Sequence, residues 1–332
     1  MTRTAVRAGT KAVKQSLRPA PSPKKRALAK PVALKRKPAK RSPAPAAHWI
    51  SGIAVGTAGA RRYRLFKPPG VGRAERLPLL VMLHGCSQDA EKIAASSQMN
   101  RIAIRERFLV LYPEQDRLSN ALGCWNWYDT RSGRAQGESG AIDAMINQVC
   151  VQQPIDQQRI AIAGFSAGAG LAALLATRHP ERFRAVAMHS GIAPGVAHSS
   201  ATAISAMRGR RTGTPLAPSA AGVRLPGLLV IQGSSDHVVA PTNGHQAAGL
   251  WAVQMGAKAS KPRTVQRGER YAATITDYKT RGRLVATLCE VQRLGHAWSG
   301  GAAGQEFSDP KGPNASSMIW SFVAKQFANE AA

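Results

Sequence analysis

The chain of 332 residues contains 46 Lys and Arg against 18 Asp and Glu, which gives a formal net charge of +28 at pH 7. No stretch reaches the roughly 18 consecutive apolar residues of a membrane-spanning helix, so the sequence predicts no membrane span. The four cysteines are too few for a disulfide-built scaffold and are not spaced as a zinc site, which excludes both classes of small structural domain.

The first 48 residues differ in composition from the rest of the chain. They hold fourteen Lys and Arg, no Asp or Glu, and almost no large apolar side chains. Such a segment cannot bury a core, so we expect residues 1–48 to form a disordered tail and residues 49–332 a single folded domain. Two interpretations stay open. The tail either attaches the protein electrostatically to a polyanion or granule surface, or it is a solvated, solubilising segment without a partner.

Strand and helix patterns alternate through the rest of the chain. We expect order to begin near Ala60, with an edge or hairpin strand at Arg62–Phe66. The later predicted strands span residues 77–83, 108–112, 159–166, 185–188, 228–232, 272–278 and 284–294, and the last two form a hairpin. The predicted helices span residues 89–107, 138–151, 171–176, 243–256 and 315–327. This alternation predicts an α/β fold, with a mostly parallel central sheet and helices on both faces.

A strand-to-helix turn at residues 164–168 provides a candidate nucleophile. Its sequence, Gly-Phe-Ser-Ala-Gly, fits the G-x-S-x-G motif, in which the central serine, here Ser166, sits on a strained turn between closely packed elements. By itself the pentapeptide is equally compatible with an ordinary loop serine or a helix N-cap. A nucleophilic serine also needs an acid and a base, which follow it in the chain order Ser, Asp, His.

Two later strands end in residues of the required types. Asp236 follows the strand at 228–232, and His296 follows the strand at 284–294. Because active sites of parallel sheets lie at the carboxyl ends of the strands, we expect both side chains to meet Ser166 there. The competing residues lie within predicted elements, in a late loop, at a helix end or too early in the chain order: Asp277, Asp309, His179, His189 and His245. The sequence therefore predicts a catalytic triad.

Acyl transfer also needs N–H donors for the oxyanion of the tetrahedral intermediate. The backbone N–H of Ala167, directly after the serine, is the first candidate, and that of Cys86, just past His84-Gly85, is the second. For the second candidate, an ordinary strand-ending turn is the alternative interpretation.

Seven short stretches match a known family in order along the chain. They cover roughly residues 77–327 and read LHGCSQ (83–88), YPEQ (112–115), CWNW (124–127), GFSAG (164–168), HSG (189–191), GSSD (233–236) and GHAWSGG (295–301). With these motifs the sequence resembles the polyhydroxybutyrate (PHB) depolymerase-type esterases, in particular the catalytic domain of short-chain-length polyhydroxyalkanoate depolymerases. The resemblance implies an α/β-hydrolase fold, no metal or organic cofactor, and hydrolysis of short-chain 3-hydroxyacid polyesters or oligomers through an acyl-enzyme.

The resemblance also implies roles for individual residues. Ser166 would be the nucleophile, His296 the general base and then acid, and Asp236 the carboxylate that orients it. The family setting further suggests a disulfide between Cys86 and Cys124, with two free thiols as the alternative. Three tryptophans near the predicted site either contact the substrate or pack in the core: Trp125, Trp127 and Trp298.

Two features depart from the family pattern. Ala169 stands where the family usually has a second glycine after Ser-Ala-Gly, a change that we expect to be tolerated. No linker or polymer-binding domain follows about residue 327, so soluble esters or amorphous material are the expected substrates rather than crystalline polymer.

Two other functions remain open. One is the same chemistry on feruloyl or acetyl esters of plant polysaccharide, and the other is a polyanion- or granule-binding protein whose hydrolase domain is secondary. The location of the protein is also open. The resemblance and the suggested disulfide point to the outside of the cell, whereas the missing apolar core of a secretory signal points to the cytoplasm.

Overall fold

The structure, a computed structural model, describes residues 48–56, 59–72, 74–213 and 224–329. The predicted disordered tail therefore lies outside the described residues, except for His48. Among the described residues, no helix combines the length and the apolar composition needed to cross a membrane.

Thirteen strands lie in the described part of the chain: β1 (His48–Gly56), β2 (Gly59–Lys67), β3 (Leu77–Leu83), β4 (Leu109–Pro113), β5 (Ile155–Phe165), β6 (Ala185–His189), β7 (Gly227–Gly233), β8 (Lys258–Ala259), β9 (Arg263–Val265), β10 (Ala273–Thr280), β11 (Arg283–Val291), β12 (Trp298–Ser299) and β13 (Ser308–Asp309). The main sheet has the order β1-β2-β4-β3-β5-β6-β7-β11-β10-β8, and β9 also pairs with β10. β12 and β13 form a separate parallel pair.

Parallel pairing fills the middle of the main sheet. β4, β3, β5, β6, β7 and β11 run parallel, whereas β1, β2 and β10 add antiparallel edges. The continuous apolar runs of β3 and β7 explain this arrangement, because every residue of both strands is buried, as a strand covered on both faces requires. The predicted mostly parallel sheet and the predicted hairpin of its last two strands are confirmed.

Helices cover both faces of the sheet, also as predicted. They are α1 (Ala90–Ser97), α2 (Met99–Glu106), α3 (Arg134–Gln152), α4 (Ala167–Arg178), α5 (Ser200–Met207), α6 (Thr242–Gln254) and α7 (Ala315–Asn329). One core cluster joins the sheet to α3, α4 and α6, and a second joins its other face to α1, α2 and α7. The first ten residues of α4, all small or apolar, are buried, so this helix lies directly against the sheet.

The first strand was not predicted. We expected order to begin near Ala60, whereas the structure has a strand that already begins at His48. β1 pairs with β2 along its whole length. Its sequence has a glycine in the middle, which weakens a strand pattern. The structure gives that glycine a packing role, since a Cβ at Gly52 would lie 2.2 Å from the Tyr63 ring.

Two helical regions also differ from the prediction. The helix expected at residues 89–107 is divided into α1 and α2 at Gln98, whose φ of 54° is left-handed. The short helix α5 was not predicted, because its eight residues carry too little periodicity to stand out. Ser199 caps α5 by accepting a hydrogen bond from the Thr202 N–H.

Candidate active site

Ser166 lies between β5 and α4 on a strained backbone. Its φ of 53° and ψ of −119° fall outside the regions that non-glycine residues commonly adopt. The neighbouring glycines permit this turn. A Cβ at Gly164 would lie 2.3 Å from the carbonyl carbon of Gly168, and a Cβ at Gly168 would lie 2.4 Å from the carbonyl oxygen of Leu83. The elements therefore meet too closely for a larger residue at either position.

Ser166, His296 and Asp236 form a row of hydrogen bonds. His296 Nε2 lies 3.0 Å from Ser166 Oγ, and His296 Nδ1 lies 2.8 Å from Asp236 Oδ2. An ionised carboxylate only accepts, so Nδ1 carries the proton of the neutral imidazole and Nε2 accepts from the serine hydroxyl. This arrangement can move a proton from Ser166 Oγ to His296 Nε2.

Asp236 is buried, with 2% of its surface exposed, and both of its oxygens have donors. Oδ1 accepts from the N–H groups of Val238 and Val239 at 2.9 and 2.8 Å, and Gln232 Nε2 donates to Oδ2 at 3.3 Å. Burial by itself raises the pKa of this carboxyl. The hydrogen bond and charge of His296, together with the two N–H groups, outweigh burial and hold the pKa below its usual range. Asp236 is therefore ionised when it faces His296.

Other acid and histidine candidates have partners elsewhere. Asp277, in β10, accepts from Arg263 at 2.6 Å and from the Thr287 hydroxyl at 2.8 Å. His245, in α6, lies 2.9 Å from the Glu290 carboxylate at an exposed position. Neither contacts Ser166, in agreement with their exclusion on the sequence pattern.

The backbone N–H groups of Cys86 and Ala167 face no acceptor within the described parts of the chain. Both residues line a cavity of about 360 Å³ that also includes Ser166. Backbone N–H groups inside proteins are normally paired, so these two are available to a ligand atom. A larger groove of about 600 Å³, between β10 and α7, is lined by none of the predicted site residues.

Trp125 and Trp127 form part of the wall of the cavity at Ser166. A disulfide joins Cys86 to Cys124, whose Cα atoms lie 4.2 Å apart, and so fastens the loop that bears both tryptophans to the loop after β3. Most of the remaining wall is apolar and comes from α5 and nearby loops: Leu122, Ile192, Ala203, Ile204, Met207 and Val239.

Trp298 does not line this cavity, so of the two alternatives left open for it, substrate contact or core packing, the structure favours packing. It is 1% exposed, and its ring stacks on His189 with 5.0 Å between the centroids. Its Nε1 donates to Ser316 Oγ at 3.1 Å. Although it follows His296 closely in sequence, Trp298 is a core residue and is not a candidate substrate contact.

A buried polar network behind the cavity wall was not predicted. Glu138 of α3, 3% exposed, accepts from Asn126 N–H at 2.7 Å, Asn126 Nδ2 at 2.6 Å and Gln115 Nε2 at 2.5 Å. Gln115 N–H in turn donates to His84 Nε2 at 3.1 Å. Burial raises the pKa of Glu138, and these hydrogen bonds offset part of that effect. The family-like motifs contained Gln115 and Asn126, but no sequence feature marked Glu138 as their shared acceptor.

The chain was compared with models of known protein families and with known protein sequences. A model of the family described as Esterase PHB depolymerase matches residues 61–259. Poly(3-hydroxyalkanoate) depolymerase C of Paucimonas lemoignei is 31% identical over 192 residues, which are 55% of this chain and 46% of that protein. The probable acetylxylan esterase A of Neosartorya fischeri is 24% identical over 204 residues, 57% of this chain and 54% of that protein. The chain thus spans about half the length of these curated relatives.

Comparison with solved structures supports the fold. The acetyl xylan esterase from Aspergillus awamori gives a TM-score of 0.62 at 18% identity, covering 76% of this chain and 94% of that one. At this identity the likeness concerns the fold alone. It agrees with the expected α/β-hydrolase fold.

Proposed function

The chain belongs to the PHB depolymerase family of esterases, and on that basis we propose that it is a serine carboxylic ester hydrolase acting on short-chain 3-hydroxyalkanoate polyesters or oligomers. The observation that carries the reaction type is the row of hydrogen bonds from Asp236 through His296 to Ser166, at 2.8 and 3.0 Å. This row borders a cavity that can receive an acyl group.

In the proposed mechanism, Ser166 Oγ attacks the ester carbonyl carbon. His296 Nε2 takes the hydroxyl proton as the new C–O bond forms, and then gives it to the leaving alkoxy oxygen as the ester bond breaks. Water next attacks the acyl-enzyme, His296 takes its proton, and the acyl–Oγ bond breaks with return of that proton to Ser166. Asp236 stays ionised and stabilises the imidazolium that forms in each half-reaction.

The N–H groups of Cys86 and Ala167 are the proposed oxyanion donors. Negative charge develops on the carbonyl oxygen as Ser166 attacks, and donors already fixed in place stabilise that charge without reorganising. Loss of one such donor typically lowers the rate about 100- to 1000-fold. Because the donors here are backbone groups, they are retained when a side chain at either position is changed.

The cavity supports a small acyl unit as the substrate group. Ligand cavities commonly measure about 300 to 1,000 Å³, and this one lies near the lower end at about 360 Å³. Its walls are largely apolar, with Trp125 and Trp127 as the proposed substrate contacts. A hydroxybutyryl unit is both short and largely apolar, which fits such walls.

A second candidate substrate is an acetyl or feruloyl ester of polysaccharide. It is favoured by the relative from Neosartorya fischeri, whose name is that of an acetylxylan esterase. The proposed Ser166 chemistry would be the same for either ester. The two substrates differ only in what fills the cavity and what lies outside it.

Residues 1–48 are proposed to attach the protein to a polyanion or granule surface. The support is their sequence alone, which holds fourteen Lys and Arg and no acidic residue. We further propose an extracellular location, because a disulfide such as Cys86–Cys124 persists in an oxidising environment.

The reaction type is tested by the hydrolysis of p-nitrophenyl butyrate. Ser166→Ala should abolish turnover, while Ser321→Ala, at an exposed serine of α7, should leave it unchanged. Turnover that persists in the Ser166 variant contradicts the proposed mechanism.

The substrate class is tested by a panel of hydroxybutyrate oligomers, feruloyl esters and acetylated xylan. We expect the highest kcat/KM on the oligomers. A preference for acetylated xylan would retain the mechanism and replace the substrate.

A further inference from the structure

We propose that His189, which no proton-transfer step uses, is a positioning residue that fixes Ser166 and His296 relative to each other. This rests on the proposed function, in which those two residues act as nucleophile and base. His189 is the last residue of β6 and is fully buried. It is hydrogen-bonded to the two catalytic segments, which are the turn that carries Ser166 and the segment that carries His296. Its backbone bonds to the first and its ring to the second.

The backbone of His189 holds the turn that carries the nucleophile. In the parallel pairing of β5 with β6, Phe165 lies opposite His189. The next residue, Ser166, donates its N–H to the His189 carbonyl at 2.9 Å. The strained turn is therefore anchored at Ser166 itself by a hydrogen bond to residue 189.

The ring of His189 holds the segment that carries the base. Ser299 N–H donates to His189 Nε2 at 3.0 Å, three residues after His296. A backbone N–H can only donate, so Nε2 must be unprotonated, and the proton of the neutral ring lies on Nδ1. Nδ1 lies 3.2 Å from Ser190 Oγ, so its N–H donates a hydrogen bond to that hydroxyl oxygen. The tautomer is thus fixed by neighbours on both sides of the ring.

Aromatic packing holds the His189 ring in place. Trp298 stacks on one side at 5.0 Å, and Phe165 meets the ring edge-on at 5.5 Å. Phe165 also lies 4.9 Å from the His296 ring. The ring contacts therefore come from the residue before the nucleophile and from the segment that carries the base.

The environment keeps His189 in its accepting form. Burial, reinforced by the charge of nearby His296, lowers the pKa of His189 to about 3. A protonated ring would present an N–H to the Ser299 N–H and lose this bond. The neutral ring also places no like charge beside the His296 imidazolium when it forms.

Two amide substitutions distinguish positioning from mere packing. The amide of glutamine reaches the place of Nε2 and can accept from Ser299 N–H, whereas that of asparagine reaches only the place of Nδ1. We expect His189→Asn to lower kcat about 30- to 100-fold with little change in KM, because misplacement of a catalytic group by about 1 Å can cost about 100-fold. His189→Gln should stay within about threefold of the parent kcat, since its amide retains the placement.

Hydrogen exchange at the Ser299 amide gives a second readout that does not depend on catalysis. Exchange should be faster in the Asn variant and near the parent rate in the Gln variant. If the Asn variant does not fold, Ser190→Ala replaces it. That change removes the partner of Nδ1–H. As expected for the Asn variant, it should speed exchange at Ser299 and lower kcat.

Trp251→Phe is the matched control. It removes a buried hydrogen bond to the Pro226 carbonyl, at 2.8 Å, without touching either catalytic segment. It should lower Tm and leave kcat unchanged. Equal kcat in the Asn and Gln variants, or an equal loss in the control, overturns the positioning role. Failure of the proposed function would show separately, as turnover that survives Ser166→Ala.

Discussion

At the scale of single residues, two buried histidines stay neutral: His189, beside the proposed catalytic row, and His84, directly after β3. His84 and His189 are 1% and 0% exposed. Burial lowers the pKa of His84 to about 4 and, together with the charge of His296, lowers that of His189 to about 3. Each ring accepts a backbone hydrogen bond, so neutrality is a structural requirement at both positions.

These two histidines should make the fold sensitive to acid. In the unfolded chain histidine titrates near pH 6.5, so below that pH the unfolded state binds protons that the folded state excludes. The unfolding free energy should therefore fall as the pH drops from about 6.5 to 4, by on the order of 5 kcal/mol for the pair. Urea midpoints at pH 7, 6, 5 and 4 measure this. His189→Gln should flatten the decline, and an unchanged slope in that variant contradicts the assignment.

A second prediction at this scale concerns the acid of the row. Asp236→Asn should lower kcat by about 10³- to 10⁴-fold, because an amide that donates to Nδ1 would select the wrong His296 tautomer. Asp277→Asn is the matched control, since that aspartate contacts Arg263 and Thr287 rather than the row. Steady-state kinetics on p-nitrophenyl butyrate compare kcat in the two variants. A similar loss in both variants would show that Asp236 has no special part in catalysis.

At the scale of secondary-structure elements, the active site depends on the close approach of β3, β5 and α4. Small residues permit this approach at several points. Ala169, which departs from the family pattern, is fully buried, and a Cβ at Gly191 would lie 2.5 Å from the Ala169 Cβ. Because residue 191 is a glycine, there is room for the Ala169 side chain. This packing explains why we expect alanine to be tolerated at position 169.

The approach of α4 to β3 can be tested with one methyl group. Gly168→Ala would place a Cβ 2.4 Å from the Leu83 carbonyl oxygen, so backbone must shift. We expect a loss of about 1–3 kcal/mol in stability together with lower kcat. Gly249→Ala in α6 is the control, because its Cβ position has no heavy atom within 4 Å apart from its chain neighbours and the backbone of its own helix, and it should be neutral or stabilising by up to about 1 kcal/mol. Equal Tm values in the two variants would contradict this packing argument.

The disulfide fastens two loops of the site to each other, the loop after β3 and the loop that bears the two cavity tryptophans. Cys86 and Cys124 close a loop with a sequence separation of 38 residues. Replacing both by serine should lower the unfolding free energy by about 3–4 kcal/mol, chiefly by freeing the unfolded chain. Urea unfolding measures this. Reductant should destabilise the parent and the control Cys150→Ala, which changes a buried free thiol and keeps the disulfide, and it should not affect the double variant. A double variant as stable as the parent would contradict the prediction.

At the scale of the whole molecule, charge and chemistry lie in different parts of the chain. The first 48 residues hold fourteen of the 46 Lys and Arg and none of the 18 Asp and Glu. Every residue assigned to the proposed reaction lies beyond them, between Cys86 and His296. We therefore expect the tail to affect the attachment of the enzyme to a surface and not the reaction itself.

Removal of residues 1–47 should separate these two roles. We expect kcat/KM on p-nitrophenyl butyrate to stay within about twofold, since no catalytic group is lost and soluble neutral ester needs no electrostatic steering. Binding to DNA or to polyester granules at low salt should fall sharply, and parent binding should weaken as salt rises. Binding that is unchanged by the deletion would refute the attachment role and leave the esterase proposal intact.

The sequence by itself determined the fold class, most strand positions and the three residues that the structure brings into one hydrogen-bonded row. Continuous apolar runs such as β3 mark buried strands, and the residues after such strands must lie at one edge of a parallel sheet. Only the tertiary structure decided that Trp298 faces the core, that Glu138 joins two loops, and that His189 links Ser166 to the segment after His296. Local sequence records periodicity and strand ends. The direction of a single side chain depends instead on packing against residues distant in sequence, which no local pattern records.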